Sequence, residues 1–222
     1  RGERMLVVVV ASGSMPDGDT RWLDAADLVI AADGGAETLD RLGRRPDRVV
    51  GDLDSTTPTL VARLEANGVP IERHPTDKEA TDTELALEAA RTAGATEIVV
   101  LGALGGVRVD HELANLLLLA DPALDGRDVR IVRGATSVRA LHGSDSHALD
   151  GAEGDLVSLV SIGGDAAGVT TDGLRWRLQG ATLPVGASRG ISNEIVAAPA
   201  SVSLQDGILL VVETATEGAS TP

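Results

Sequence analysis

Cysteine is absent from all 222 residues, which excludes disulfides, thiol nucleophiles and zinc–thiolate sites. Phenylalanine and tyrosine are absent too, and the only aromatic carbocycles are Trp22 and Trp176. The core must therefore be Val, Leu, Ile and Ala, and each tryptophan calls for a reason. Basic residues are scarce: 19 Lys+Arg against 34 Asp+Glu give a formal net charge of −15. That balance excludes a nucleic-acid backbone or an anionic membrane surface as the main partner. ATP stays compatible, because a metal ion screens phosphates from carboxylates. The apolar run over 5–10 is far too short for a signal peptide or a membrane span, which makes the cytoplasm the expected location. No Gly-x-x-x-x-Gly-Lys-Ser/Thr loop and no Gly-x-Gly-x-x-Gly occurs, excluding an ordinary P-loop NTPase and a standard dinucleotide-binding enzyme.

What is present is 43% hydrophobic residues, enough for a substantial core and too many for a disordered chain. Short β-branched runs over 6–10, 28–31, 48–51, 69–73, 97–101 and 129–132 alternate with helical patterns over 36–42, 57–67, 83–93 and 112–120. Leu85, Ala86, Ala89, Ala90 and Ala93 fall at three- and four-residue steps, as one helix face requires. Continuous apolar strands, each followed by a helix, indicate a parallel sheet covered on both faces. Residues 1–133 thus read as a doubly wound, mostly parallel α/β domain. After Arg133 helical periodicity stops and short alternating strands take over at 155–162, 174–178, 200–205 and 208–213. Residues 134–214 read as a small β-sandwich, with Asp206-Gly207 as a hairpin turn, and 215–222 as a frayed polar tail.

Ligands of an open α/β sheet bind beyond the carboxyl ends of its strands, and the unusual polar clusters sit there. Asp33-Gly34-Gly35 offers close backbone approach and exposed amides at a helix start, suited to phosphate or ribose; it also reads as an ordinary strand-to-helix turn. Asp52 and Asp54, two apart on an extended segment, point the same way and repel unless a cation lies between them. Mg²⁺ suits such a pair, although Asp54-Ser55 equally reads as a turn and helix cap. The second acidic cluster, Asp77, Glu79 and Asp82, tips the pair towards metal binding. Lys78 and Arg108 are phosphate clamps among the acids, and Asp110 and His111 follow. The residues alone reach an Mg²⁺-dependent enzyme acting on a phosphorylated ligand, with the acceptor unnamed.

The ordered set of Asp33-Gly34-Gly35-Ala36, Gly51-Asp52-Leu53-Asp54-Ser55, Lys78-Glu79-Ala80-Thr81-Asp82 and residues 102–111 resembles the catalytic half of the thiamine pyrophosphokinase family. Gly173-Leu174-Arg175-Trp176 and Ser188-Arg189-Gly190-Ile191-Ser192-Asn193-Glu194 resemble its thiamine-binding half. The resemblance implies transfer of pyrophosphate from ATP to the thiamine hydroxyl, by attack on the β-phosphorus with loss of AMP. It implies Mg²⁺ on Asp52, Asp54, Glu79 and Asp82, with ATP at Asp33, Gly34, Gly35, Lys78, Thr81, Gly105, Gly106 and Arg108. It further implies thiamine at Trp176, Ser192, Asn193, Asp110 and His111, and a homodimer with active sites between subunits. An indole face suits a flat cationic heteroaromatic ring, while Asp82 and Asp110 are the carboxylates open to a general-base role. The family usually has Asp where Glu79 stands, so Glu79 is expected to hold the metal through water. Its Gly-Gly-Arg-x-Asp-His loop carries one more residue here, Gly105-Gly106-Val107-Arg108-Val109-Asp110-His111. Pyrophosphoryl transfer to a hydroxymethylpterin-type alcohol and a non-catalytic thiamine or nucleotide sensor are the alternatives.

Overall fold

Five consecutive apolar residues, Leu6–Val10, form strand β1, and all five are buried. A strand without a polar face needs a layer on both sides. In the computed structural model, which describes residues 4–216, that need is met by a six-stranded sheet. It comprises β1, β2 (Leu28–Ala32), β3 (Arg48–Gly51), β4 (Ile71–Arg73), β5 (Glu97–Leu101) and β6 (Asp128–Arg133) in the order β4-β3-β2-β1-β5-β6. Every pairing is parallel. The helices are α1 (Thr20–Ala25), α2 (Gly35–Arg41), α3 (Pro58–Ala66), α4 (Asp82–Thr92) and α5 (Val109–Leu118).

Local chemistry sets the helix starts. Thr57 Oγ1 accepts from Leu60 N–H at 3.4 Å ahead of Pro58, and Thr81 Oγ1 accepts from Glu84 N–H at 3.2 Å. α5 begins three residues before the expected 112, with Asp110 and Glu112 in the turn where the helix dipole favours anions. α1 has no counterpart in the sequence pattern, because Trp22 and Leu23 supply too short an apolar face to register as periodic. The core of this unit is aliphatic, with Leu39, Val49, Val99 and Leu101 among its fully buried members. From β1 the chain winds outward to β4 and then returns to β5 on the other side, so the strand order reverses between β1 and β5. Such a reversal opens a crevice at the strands' carboxyl ends.

The first compact unit runs to Leu118 and resumes over Gly126–Gly134; the second comprises Leu119–Asp125 and the chain from Ala135. Leu119–Asp125 belongs with the second because His142 Nε2–H donates to Leu119 O at 2.9 Å and His142 Nδ1 lies 3.3 Å from Asp125. The second unit holds β7 (Thr136–His142), β8 (Asp145–Ala148), β9 (Leu156–Asp172), β10 (Ala181–Leu183), β11 (Asn193–Glu194), β12 (Ser201–Leu204) and β13 (Asp206–Thr214). β9 serves two layers: its first half pairs with β13 and β11, its second with β12 and β10. Gly163 and Gly168, at φ 73° and 68°, allow the strand to turn between them. Leu141, Val157 and Leu209 from one layer meet Val169, Val202 and Leu204 from the other in one apolar core. The chain is an α/β domain followed by a β-sandwich.

Three details depart from the sequence pattern. β12 and β13 do not form a hairpin with each other; both pair with β9, and Asp206-Gly207 carries the chain from one layer to the other. Residues 174–178 make only one bridge, Leu174 to Ile195. Ala215 N–H donates to Ala135 O and Thr216 N–H to Asp155 Oδ1, each at 2.9 Å, while the rest of the expected tail lies outside the described residues. Among the described residues no helix is long and apolar enough to cross a membrane.

Candidate active site

The strands of the first sheet are parallel, and the segments that follow β1 to β5 enclose a cavity of about 580 Å³. Asp33 follows β2 at φ 42°, and Leu53 follows β3 at φ 67°. Left-handed backbone costs a non-glycine residue of order 1–3 kcal/mol and persists only where the surroundings enforce it. Asp33 is 4% exposed; its Oδ1 accepts from Ser55 N–H and Thr56 Oγ1, each at 3.3 Å. Burial raises its carboxyl above the ordinary value, against the lowering effect of the Ser55 and Gly34 hydrogen bonds. Gly34 and Gly35 do not line the cavity. Their role is close packing: a Cβ on Gly35 would stand 1.9 Å from Val10 O, and one on Gly34 2.8 Å from Ser12 Oγ.

Leu53 breaks the extended geometry that would have aimed Asp52 and Asp54 together. Asp54 N–H instead donates to Asp52 Oδ1 at 3.2 Å, and Asp54 Oδ1 accepts from Ser55 Oγ. The carboxylates that converge are Asp33, Asp52 and Asp82, whose ligand oxygens all lie within 4.8 Å of one another. Asp54 lines the cavity outside this set; Glu79 is exposed and does not line it. Of the four acids expected on a metal, the fold brings Asp52 and Asp82 together, sets Asp33 beside them and leaves Asp54 and Glu79 apart.

Lys78 bridges the set. Its Nζ lies 2.7 Å from Asp52 Oδ2 and 3.0 Å from Asp82 Oδ1, with side chains only 12%, 10% and 24% exposed. Hydrogen bonding by Lys78 lowers the Asp52 carboxyl below its ordinary value. Burial alone would lower the Lys78 ammonium, but its two carboxylate partners raise it overall. Asp82 Oδ1 is buried and accepts no well-directed hydrogen bond, Lys78 being near but poorly aligned. Three hard oxygen donors within 4.8 Å of one another fit a small divalent cation.

On the opposite wall, Gly105 N–H donates to Glu112 Oε1 at 2.8 Å and Asn115 Nδ2 to Ala103 O at 2.9 Å. Arg108 and His111 line the cavity there. Arg108 grips Asp110 through Nε at 2.9 Å and Nη2 at 2.5 Å, both side chains being 63% exposed. That grip lowers the Asp110 carboxyl to about 2, which makes it a poor base, and Asp110 itself does not line the cavity. Thr81 lines it as the α4 cap. Ser12, Glu112 and Asn115 line it too. Glu112 and Asn115 carry no sequence motif, and Ser12 shows only in the polar Ser12-Gly13-Ser14 step after β1.

In the β unit a smaller cavity of about 310 Å³ is lined by Trp176, Asn193, Arg177 and Arg189 over Leu159 and Leu178. Trp176 is 58% exposed, and the Arg175 guanidinium lies 5.8 Å from its ring centroid. Asn193 is spent on main chain: its Oδ1 accepts from Trp176 N–H and Glu194 N–H, and its Nδ2 donates to Trp176 O at 2.8 Å. Ser192, at φ 59°, is exposed, and its N–H donates to Ser158 Oγ at 3.0 Å. His147, Asp150 and Glu213 form another close polar group. It already holds its cation: Arg139 lies 2.8 Å from Asp150, and Glu213 accepts from His147 and from Asp150 and Gly151 N–H.

The family model "Thiamin pyrophosphokinase, catalytic domain" matches residues 20–132, and "Thiamin pyrophosphokinase, vitamin B1 binding domain" matches 146–209. Thiamine pyrophosphokinase of Bacillus subtilis is 26% identical over 195 residues, covering 88% of this chain and 91% of that one. Thiamine pyrophosphokinase 1 of Oryza sativa is 30% identical over 212 residues, covering 84% and 78%. The crystal structure of the Bacillus subtilis enzyme superposes with a TM-score of 0.82 at 25% identity, over 95% of this chain and 99% of that one.

Proposed function

The chain belongs to the thiamine pyrophosphokinase family, and from that membership we propose how its own residues serve ATP:thiamine diphosphotransfer. In this reaction the thiamine hydroxyl oxygen bonds to the β-phosphorus of ATP. The bond from that phosphorus to the α–β bridging oxygen breaks, AMP leaves with that oxygen, and the hydroxyl proton is lost. Asp33, Asp52 and Asp82 hold Mg²⁺, with Asp54 at the margin of the set. When bound, Mg²⁺ neutralises phosphate charge and draws electron density from the phosphorus. The convergence of those three carboxylates at the strand ends carries the assignment.

ATP lies in the larger cavity, its phosphates towards Lys78 and Gly106 and its charge balanced further by Arg108. Catalysis is positioning and charge neutralisation, as in phosphoryl transfer generally. Asp110, held at about 2 by Arg108, is a poor acceptor for the hydroxyl proton. Trp176 supplies a stacking face for thiamine. The chain acts as a cytoplasmic homodimer: Val109, Leu113 and Leu117 expose 76%, 56% and 48% of their surface along α5, an apolar stripe that a second copy would cover. Asp52→Asn or Asp82→Asn tests the metal assignment. Each removes a charge but little shape, and each is expected to lower turnover by about 10²-fold or more with the melting temperature retained. Near-normal turnover at saturating Mg²⁺ would remove these carboxylates from the metal.

A further inference from the structure

Lys78 is the sole lysine in the chain; the other 18 of its 19 Lys+Arg residues are arginines. Its ammonium lies against two of the three converging carboxylates, 2.7 Å from Asp52 and 3.0 Å from Asp82. It therefore occupies the position from which a cation neutralises the set. Resting on the assignment of Mg²⁺ to Asp33, Asp52 and Asp82, we infer that Lys78 is a built-in stand-in for the metal. It holds the carboxylates together in the nucleotide-free protein and leaves them when the metal arrives, which frees it for a phosphate oxygen.

Electrostatics favours alternation over coexistence. An ammonium in contact with the carboxylates would lie about 3–5 Å from a divalent ion on the same oxygens, where like charges repel by several kcal/mol even at an effective dielectric of about 20. The residue type suits the motion. Lysine is a point charge on a four-carbon stem with freely turning donors, whereas arginine's planar fork locks onto a carboxylate through two parallel bonds. Arg108 does this to Asp110 on the same rim. The loop 74–81 that carries Lys78 lies outside any helix or strand, so the swing disturbs no backbone ladder. A clamp meant only for phosphate would have no cause to rest on two carboxylates.

The test is metal binding without nucleotide. Mn²⁺ titrated into the protein and followed by the electron paramagnetic resonance of the free ion should bind Lys78→Met at least tenfold more tightly than the wild type. Lys78→Arg should bind it more weakly than the wild type, and Asp52→Asn should abolish binding in either background. Equal or weaker binding by Lys78→Met, with binding still lost in Asp52→Asn, would overturn the stand-in while leaving the metal assignment intact. Binding untouched by Asp52→Asn would overturn both. A second measurement uses the unaltered chain, where Lys78 is the only side-chain amine. Reductive methylation mapped by mass spectrometry should speed up severalfold at Lys78 when Mg²⁺ alone is added, and slow again with Mg²⁺ and ATP. A rate indifferent to saturating Mg²⁺ would refute the exchange.

Discussion

Asn193→Asp changes one atom of a side chain whose residue is 6% exposed, and the consequence follows from what that atom does. The amide Nδ2 donates to Trp176 O at 2.8 Å while Oδ1 accepts from Trp176 N–H at 3.0 Å. Asn193 thus pins both main-chain groups of a residue whose ring is largely in solvent. Aspartate keeps the acceptor but sets a second oxygen against the Trp176 carbonyl. A buried hydrogen bond is lost and an acceptor is left unsatisfied, a cost of about 1–3 kcal/mol. Spent on the ring's binding-competent position, it weakens thiamine binding by roughly 5- to 150-fold and spares ATP. Titration of Trp176 fluorescence with thiamine in a Trp22→Phe background reads the first effect, ATP calorimetry the second, and urea unfolding any share that falls on stability. Unchanged thiamine affinity together with unchanged stability would refute the role of Asn193 as the pin of Trp176.

Glu79 is exposed and outside the cavity, so Glu79→Gln should keep turnover within about twofold; a hundredfold loss would return it to the metal set. Burial alone would raise the Glu213 carboxyl, but hydrogen bonds from His147 and Gly151 N–H and the charges of His147 and Arg139 lower it overall. Its stabilising contribution is therefore complete above the unfolded value near 4.5 and fades as pH falls through the lower folded value. Denaturant unfolding should show the wild type losing more stability than Glu213→Gln between about pH 6 and about pH 3. Parallel pH profiles for the two would contradict the linkage.

The parallel sheet was legible because β1 is an unbroken apolar run and β5 is one from Ile98 onward, the pattern of strands buried on both faces. The acidic rim was legible for the same reason, since loops after such strands must share one edge. That Asp54 stands apart from Asp52 was not legible, because spacing assumes a regular backbone. Leu53 at φ 67° reverses the chain between Asp52 and Asp54, and no residue type announces a left-handed leucine. Asn193 reads from its motif as a substrate contact because its partner, the Trp176 main chain, lies 17 residues away and only the fold joins them. The missed transition of β12 and β13 has a similar origin. Asp206-Gly207 satisfies a hairpin rule locally, but the length of β9 offers each strand a longer partner. Asn115 is a single polar residue between apolar ones, and only its place on α5 brings it to the cavity.

The most direct test of the central claim is the product balance of one reaction. With ATP, Mg²⁺ and thiamine, chromatography should show thiamine pyrophosphate and AMP rising in equal amounts. ADP and thiamine monophosphate should be absent, and the Asp52→Asn protein should be silent. Formation of ADP with thiamine monophosphate would place the attack on the γ-phosphorus, and AMP released without phosphorylated thiamine would contradict the acceptor.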